Sequence, residues 1–217
     1  MAQLAFQWPT QPSHAAEDFI VSDANAEAVR FLENWPDEHS HVALISGPEA
    51  CGKTHLASIW AKRTHAAIID TYALGRKDSE NLWKDATHAV LEDVHTITHQ
   101  TALFHFLRHA ETQKLSLLLT ARAPAAQLHF ALADLRSRLL ALPSAHIQTP
   151  DEELLRGFLL KGFADRQLRV SDEVVGYLLK RMERSFVSAH ALVELLERQA
   201  LQNGRDITVP FIKNALG

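Results

Sequence analysis

One cysteine, Cys51, is all the thiol this 217-residue chain possesses, so no internal disulfide framework can hold it and its stability must come from a packed core. No apolar run nears the roughly 20 residues of a membrane span, and the N-terminus lacks the basic-then-apolar pattern of an export leader. The sequence therefore reads as a cytosolic protein with no membrane partner. Basic charge is scarce too: 22 Lys and Arg stand against 26 Asp and Glu, a formal net charge of −4. That balance argues against nucleic-acid binding over the whole surface and leaves room only for a local basic patch. No internal repeat and no low-complexity tract is present.

What is present is enough apolar residue for a core, 47% of the chain, at a length suited to one large domain or a main domain with a small appendage. Its most informative stretch is Gly47-Pro48-Glu49-Ala50-Cys51-Gly52-Lys53-Thr54, which fits GxxxxGK[ST]. The apolar run Val42 to Ile45 precedes it and the helix-compatible run Leu56 to Arg63 follows. Strand, glycine loop and helix in that order make a phosphate loop. Gly47 and Gly52 free the backbone to turn its N–H groups inward, and the helix N-terminus adds partial positive charge. Lys53 is then the candidate for the β and γ phosphates, and Thr54 for a Mg²⁺ ion bridging them. Cys51 has two readings, a thiol whose pKa is lowered by the helix N-terminus or a small residue accommodated by the loop.

Beyond the loop, strand candidates at Ala66–Asp70, Ala89–Leu91, Leu115–Thr120 and Ala145–Ile147 alternate with helical patterns, which predicts a parallel sheet covered by helices on both faces. The strand Ala89-Val90-Leu91 runs into Glu92-Asp93, carboxylates placed to hold Mg²⁺ or orient a water. Thr120, at the end of the next strand, is a candidate contact to the γ-phosphate or the water, or a solvated strand terminus. Leu135-Arg136-Ser137-Arg138 puts two arginines in an apolar stretch, where a guanidinium can serve a neighbouring nucleotide or form a surface ion pair. His95/His99 and His105/His109 have the i, i+4 spacing of a helical metal pair, with solvated helix-face histidines as the plainer reading.

The flanks divide the chain into three parts. Residues 1–16 form an extended arm interrupted by Pro9 and Pro12; residues 17–149 form the α/β core; residues 150–217 are helix only. In the core, Ser22 or Asp23 is expected to cap a helix ended by Pro36. In the last part, Thr149-Pro150-Asp151-Glu152 reads as a capping box with proline at the first helical position. Further helices are expected from Ser171, from Ser185 to Gln202, and after Thr208.

Four separated boxes, Phe19 to Asn25, Gly52-Lys53-Thr54-His55-Leu56, Leu135-Arg136-Ser137-Arg138 and Ile207 to Ile212, resemble the AAA+ region of the bacterial replication initiator DnaA, in the same order. The chain differs from the initiator in stopping at Gly217, where a helix-turn-helix DNA-binding domain would follow, and in opening with Gln3-Leu4-Ala5-Phe6. That tetrapeptide is similar to peptides that bind the replication sliding clamp through Gln3, Leu4 and Phe6. Together these features resemble the Hda (HdaA) family of DnaA-related regulators.

The resemblance implies an α/β fold, an AAA+ P-loop NTPase core with a small helical lid, that binds ADP or ATP with Mg²⁺. Gly47 through Thr54 with His55 would hold the phosphates, and Phe19, Ile20, Val21 and Asn25 would lie against the adenine. Thr54, Glu92 and Asp93 would hold Mg²⁺. Arg138 would be an arginine finger acting in trans on the initiator's ATP, with Asp93, Glu92 and Thr120 as the other catalytic candidates. The family's acidic pair usually opens with Asp where this chain has Glu92. Its lid arginine is replaced by His190, within Ser188-Ala189-His190-Ala191-Leu192, which implies weak or no hydrolysis at the chain's own site. The implied partners are the DnaA AAA+ domain and the DNA polymerase III sliding clamp, at the nucleoid or replisome, without sequence-specific DNA binding and with homodimerisation open. Two rival readings stand beside this one: a self-sufficient AAA+ ATPase such as a helicase loader, and a small-molecule kinase.

Overall fold

The computed structural model describes residues 20–37, 39–76, 78–83, 85–203 and 206–216. The peptide Gln3, Leu4, Phe6 and the residue Phe19 lie outside these.

Five short strands, β1 (Val42–Ser46), β2 (Ala67–Ile69), β3 (His88–Leu91), β4 (Ser116–Ala121) and β5 (Ser144–His146), form one sheet in the order β2-β3-β4-β1-β5. All pairs are parallel, so the crossovers must pass over the sheet faces and shield both from water. Alternation along each strand sorts the side chains. Val42, Leu44, Ala89, Leu91, Leu117 and Leu119 enter one core with Phe106, Leu107, Leu135 and Leu139, from α4 (Gln100–Thr112) and α5 (Ala133–Leu140). Ala43, Ile45, Val90, Leu118 and Ala145 enter a second core with Leu32, Trp35 and Trp60, packed against α1 (Ala26–Asn34) and α2 (Lys53–Thr64). The expected strands and two-sided cover are both present, and a five-residue α3 (Ser79–Trp83) lies between β2 and β3.

Four helices follow, α6 (Glu152–Ala164), α7 (Asp172–Leu179), α8 (Phe186–Asn203) and α9 (Val209–Leu216). They share a third core of their own, including Leu159, Phe163, Val175, Leu178, Val193, Leu196 and Ile212. This is the C-terminal helical lid. No helix of the described residues is long and apolar enough to cross a membrane.

Two capping expectations are corrected. The residue before α1 is Asn25, not Ser22 or Asp23, and it makes no side-chain cap. Its amide instead ties the preceding turn, accepting from Ser22 N at 3.0 Å and donating to Ile20 O at 2.9 Å. At α6 the N-cap is Asp151, whose carboxylate accepts from Leu154 N at 2.7 Å. A carboxylate at that place both satisfies an orphan N–H and complements the helix dipole, so Pro150 stands one residue outside the cap.

Candidate functional site

The loop between β1 and α2 is shaped by contacts only glycine permits. A Cβ on Gly47 would stand 2.5 Å from Ile147 O and 2.7 Å from Cys51 Sγ. Gly52 has φ +100 at the N-cap of α2, and Ala50 adopts φ 54. Lys53 is 7% exposed, its ammonium donating to Gly47 O at 2.9 Å and Pro48 O at 2.6 Å. Its charge is thus held at the loop by carbonyl dipoles. The close backbone packing, left-handed turn, helix N-terminus and buried ammonium fit a polyphosphate.

Cys51 is 1% exposed. Burial pushes its thiol above the ordinary value, against the opposing Lys53 charge, which removes the activated-thiolate reading.

The acidic turn joins the loop from β3. Thr54 Oγ1 donates to Glu92 Oε2 at 2.5 Å, bringing together two of the three predicted Mg²⁺ residues. Asp93 adopts φ 51, and its N–H donates to Thr120 Oγ1 at 2.9 Å. Thr120 is fully buried, so its hydroxyl ties the acidic turn to β4. The strand runs one residue further than expected, to Ala121.

Two residues that the motifs did not single out for this site also stand here. The register Ser46↔Ala121 and the bond from Gly47 N to Ala121 O put Arg122 beside the start of the loop. Its guanidinium is 3.4 Å from the Glu49 carboxylate. His95 follows Asp93 in a 3-10 turn, Val94–Thr96, with Nδ1 3.9 Å from Asp93 Oδ1. Both of its ring nitrogens are buried without a hydrogen-bond partner. Burial holds its pKa below the ordinary 6.5, opposed by Asp93 and Glu49 and reinforced by Arg122 and Lys53. Arg122 could have been noticed as the first residue after Thr120-Ala121. His95 was obscured by the metal-pair reading, which fails because His99 is the N-cap of α4 and not on the same helix. Among the described residues no group of three His, Cys, Asp or Glu is placed to hold a metal.

The other predicted residues lie on separate elements. Ile20, Val21 and Asn25 belong to the segment entering α1, where a Cβ on Gly157 of α6 would meet Ile20 Cδ1 at 3.1 Å. Gln148 N also donates to Ala24 O at 2.9 Å, so this segment touches both the core's last strand region and the first lid helix. Val21 is 56% exposed, leaving apolar surface for a base. His190 on α8 faces Glu194 at 3.8 Å and is nearly half exposed. Arg138 on α5 is paired with Glu111 on α4, its guanidinium carbon 5.4 Å from the Phe104 ring centroid. Its Nε is buried without a partner. Arg136 donates to Phe130 O at 3.3 Å.

Comparison with known proteins places these features. Residues 152–216 match the family described as Hda, lid domain. The whole chain is similar in structure to domain III of the Thermotoga maritima replication initiation protein DnaA, with a TM-score of 0.80 at 17% identity, covering 96% of this chain and 98% of that one. AMPPCP-bound DnaA from Aquifex aeolicus matches with a TM-score of 0.69 at 21% identity, over 89% of this chain and 67% of that one. The Thermotoga maritima RuvB Holliday junction branch migration motor matches with a TM-score of 0.71 at 15% identity, over 94% and 71%. The fold is shared with both initiator and motor, while the lid matches Hda. The C-terminal part of the chain, residues 152–216, thus matches the Hda lid family, and the chain shares its fold with DnaA domain III and RuvB.

Proposed function

We propose that this protein regulates chromosomal replication initiation by promoting hydrolysis of ATP bound to the initiator, so that origins do not fire again within a cycle. The observation that carries the reading is an Hda-type lid on a DnaA-like AAA+ core. The chain's own site holds ADP or ATP, with Lys53 on the phosphates and Thr54, Glu92 and Asp93 around Mg²⁺. Phe19, Ile20, Val21 and Asn25 flank the adenine, and His190 takes the lid position from which a sensor arginine would reach the γ-phosphate. Bound nucleotide supplies a bridge between core and lid. With His190 in place of a cationic arginine, own-site turnover is weak.

Arg138 is the group offered in trans to the initiator's nucleotide. In that role it exchanges the Glu111 carboxylate for phosphoryl charge, a contact that can be worth several orders of magnitude in rate. The Gln3, Leu4, Phe6 peptide tethers the protein to the DNA-loaded sliding clamp, raising its concentration near the initiator without a strong direct interface. The protein works in the cytoplasm at the nucleoid. The test follows conversion of initiator-bound labelled ATP to ADP with clamp on DNA. Wild type accelerates it and Gln3→Ala does not; an initiator whose ATP survives beside wild type contradicts the reading.

The similarity to a branch migration motor favours one alternative, a self-sufficient ATPase. That reading requires own-site turnover in the absence of initiator, abolished by Lys53→Ala.

A further inference from the structure

The C-terminal ends of α7 and α9 carry cations that neither the nucleotide site nor Arg138 uses. The guanidinium carbon of Arg181 lies 3.7 Å from the centroid of the Tyr177 ring, and Lys213 Nζ comes within 5.9 Å of the same centroid. Lys180, the C-cap of α7, is exposed beside them, as are Arg181 and Lys213. None of the three has a carboxylate partner among the described residues. Elsewhere in the lid Arg156 pairs with Glu152 and Asp172, Lys161 with Asp165, and Arg166 with Glu197. Arg169 and Arg198 are exposed without an ion pair among the described residues too, and what sets this group apart is its gathering around one ring. Glu173 and Glu183, the acids nearest to Tyr177 and Arg181 in sequence, make no ion pair with this group.

Helix ends account for part of the charge. Two C-termini supply about half a negative unit each, against three full cations, leaving a surplus of about two units. Stacking on Tyr177 holds the guanidinium plane while its N–H edge makes no hydrogen bond to the described residues. A planar cation fixed in this way suits the paired oxygens of a phosphodiester. A protein partner is a poorer fit, because protein interfaces concentrate their energy in buried apolar anchors. Of the seven exposed large hydrophobic side chains among the described residues, none is on α7 or α9.

We propose that Tyr177, Lys180, Arg181 and Lys213 form a docking surface for the DNA backbone, gripping phosphates without reading bases. This goes beyond the tether and the finger, and it gives a protein of net negative charge one face that can lie on DNA.

Fluorescence anisotropy with the full chain and labelled duplex or single-stranded DNA, titrated from about 50 to about 200 mM salt, tests it. The expected duplex slope of log affinity against log salt is about −2 to −3, one contact per cation. The triple variant Lys180→Gln, Arg181→Gln, Lys213→Gln should lose at least about tenfold in affinity and flatten that slope by about two to three. Arg181→Lys should keep the slope and lose part of the affinity. All three positions are exposed, and an unchanged thermal midpoint shows that the variants remain folded. Salt-insensitive or absent binding by wild type overturns the proposal, as does a triple variant that binds like wild type. Displacement of DNA by polyglutamate as effective as by unlabelled DNA overturns it in favour of an acidic protein partner.

Discussion

Two effects compete on the sulfur of Cys51. A helix N-terminus and the Lys53 ammonium favour thiolate, while burial under Gly47 favours thiol, and burial prevails. Native protein at about pH 8 should therefore react slowly with a maleimide and rapidly once unfolded; fast labelling of the native state would contradict this. Lys53, Thr54 and the Glu92-Asp93 pair were legible in the sequence because fixed spacing along one loop and one strand end determines their placement. Arg122 and His95 were not, because their approach to the loop depends on the pairing of Ser46 with Ala121 and on the left-handed turn at Asp93. Neither is encoded locally.

At the scale of elements, the loop and the entry to α1 are the most constrained pieces. Gly47→Ala forces a methyl against Ile147 O, and the strain should cost about 2 kcal/mol or more, read from chemical denaturation; an unchanged midpoint would mean that the loop relaxes freely. Asn25→Ala leaves Ile20 O and Ser22 N without their amide partner and should cost about 2 kcal/mol. Here the sequence reading was half right. It located the helix but assigned the cap by residue type, and what decides the matter is that the Asn25 amide, 2% exposed, closes a turn that faces backward along the chain. Two half-buried histidines, one at each end of β3, give the sheet a pH response. His88 and His95 are both held below 6.5 by burial. The unfolded chain takes up protons near that pH that the folded chain refuses, so their contribution is present above about pH 6.5 and is lost as pH falls below it. The thermal midpoint should fall between about pH 7 and about pH 5.5, and less so in His95→Gln. An equal fall in that variant would remove His95 from the account.

Across the whole molecule, the three apolar cores divide the labour. Two clamp the sheet whose C-terminal ends carry Gly47, Asp93 and Arg122, and the third makes the lid a packed unit in its own right. The parallel sheet and helical lid were legible because short apolar runs and helical patterns alternate and then give way to helix alone near Pro150. The partner of Arg138 was not: Glu111 lies 27 residues earlier in the chain, and only the packing of α5 on α4 brings it there. In the role proposed for it, action on another protein's nucleotide, Arg138 would have to leave Glu111. The most direct test of that action is single-turnover hydrolysis of initiator-bound ATP beside DNA-loaded clamp, with wild type, Arg138→Ala and Arg138→Lys. The account predicts that Arg138→Ala loses at least about a hundredfold of the stimulation and that Arg138→Lys recovers little of it, because a point charge does not reproduce the planar fork. Stimulation by Arg138→Ala equal to that of wild type would contradict the central claim.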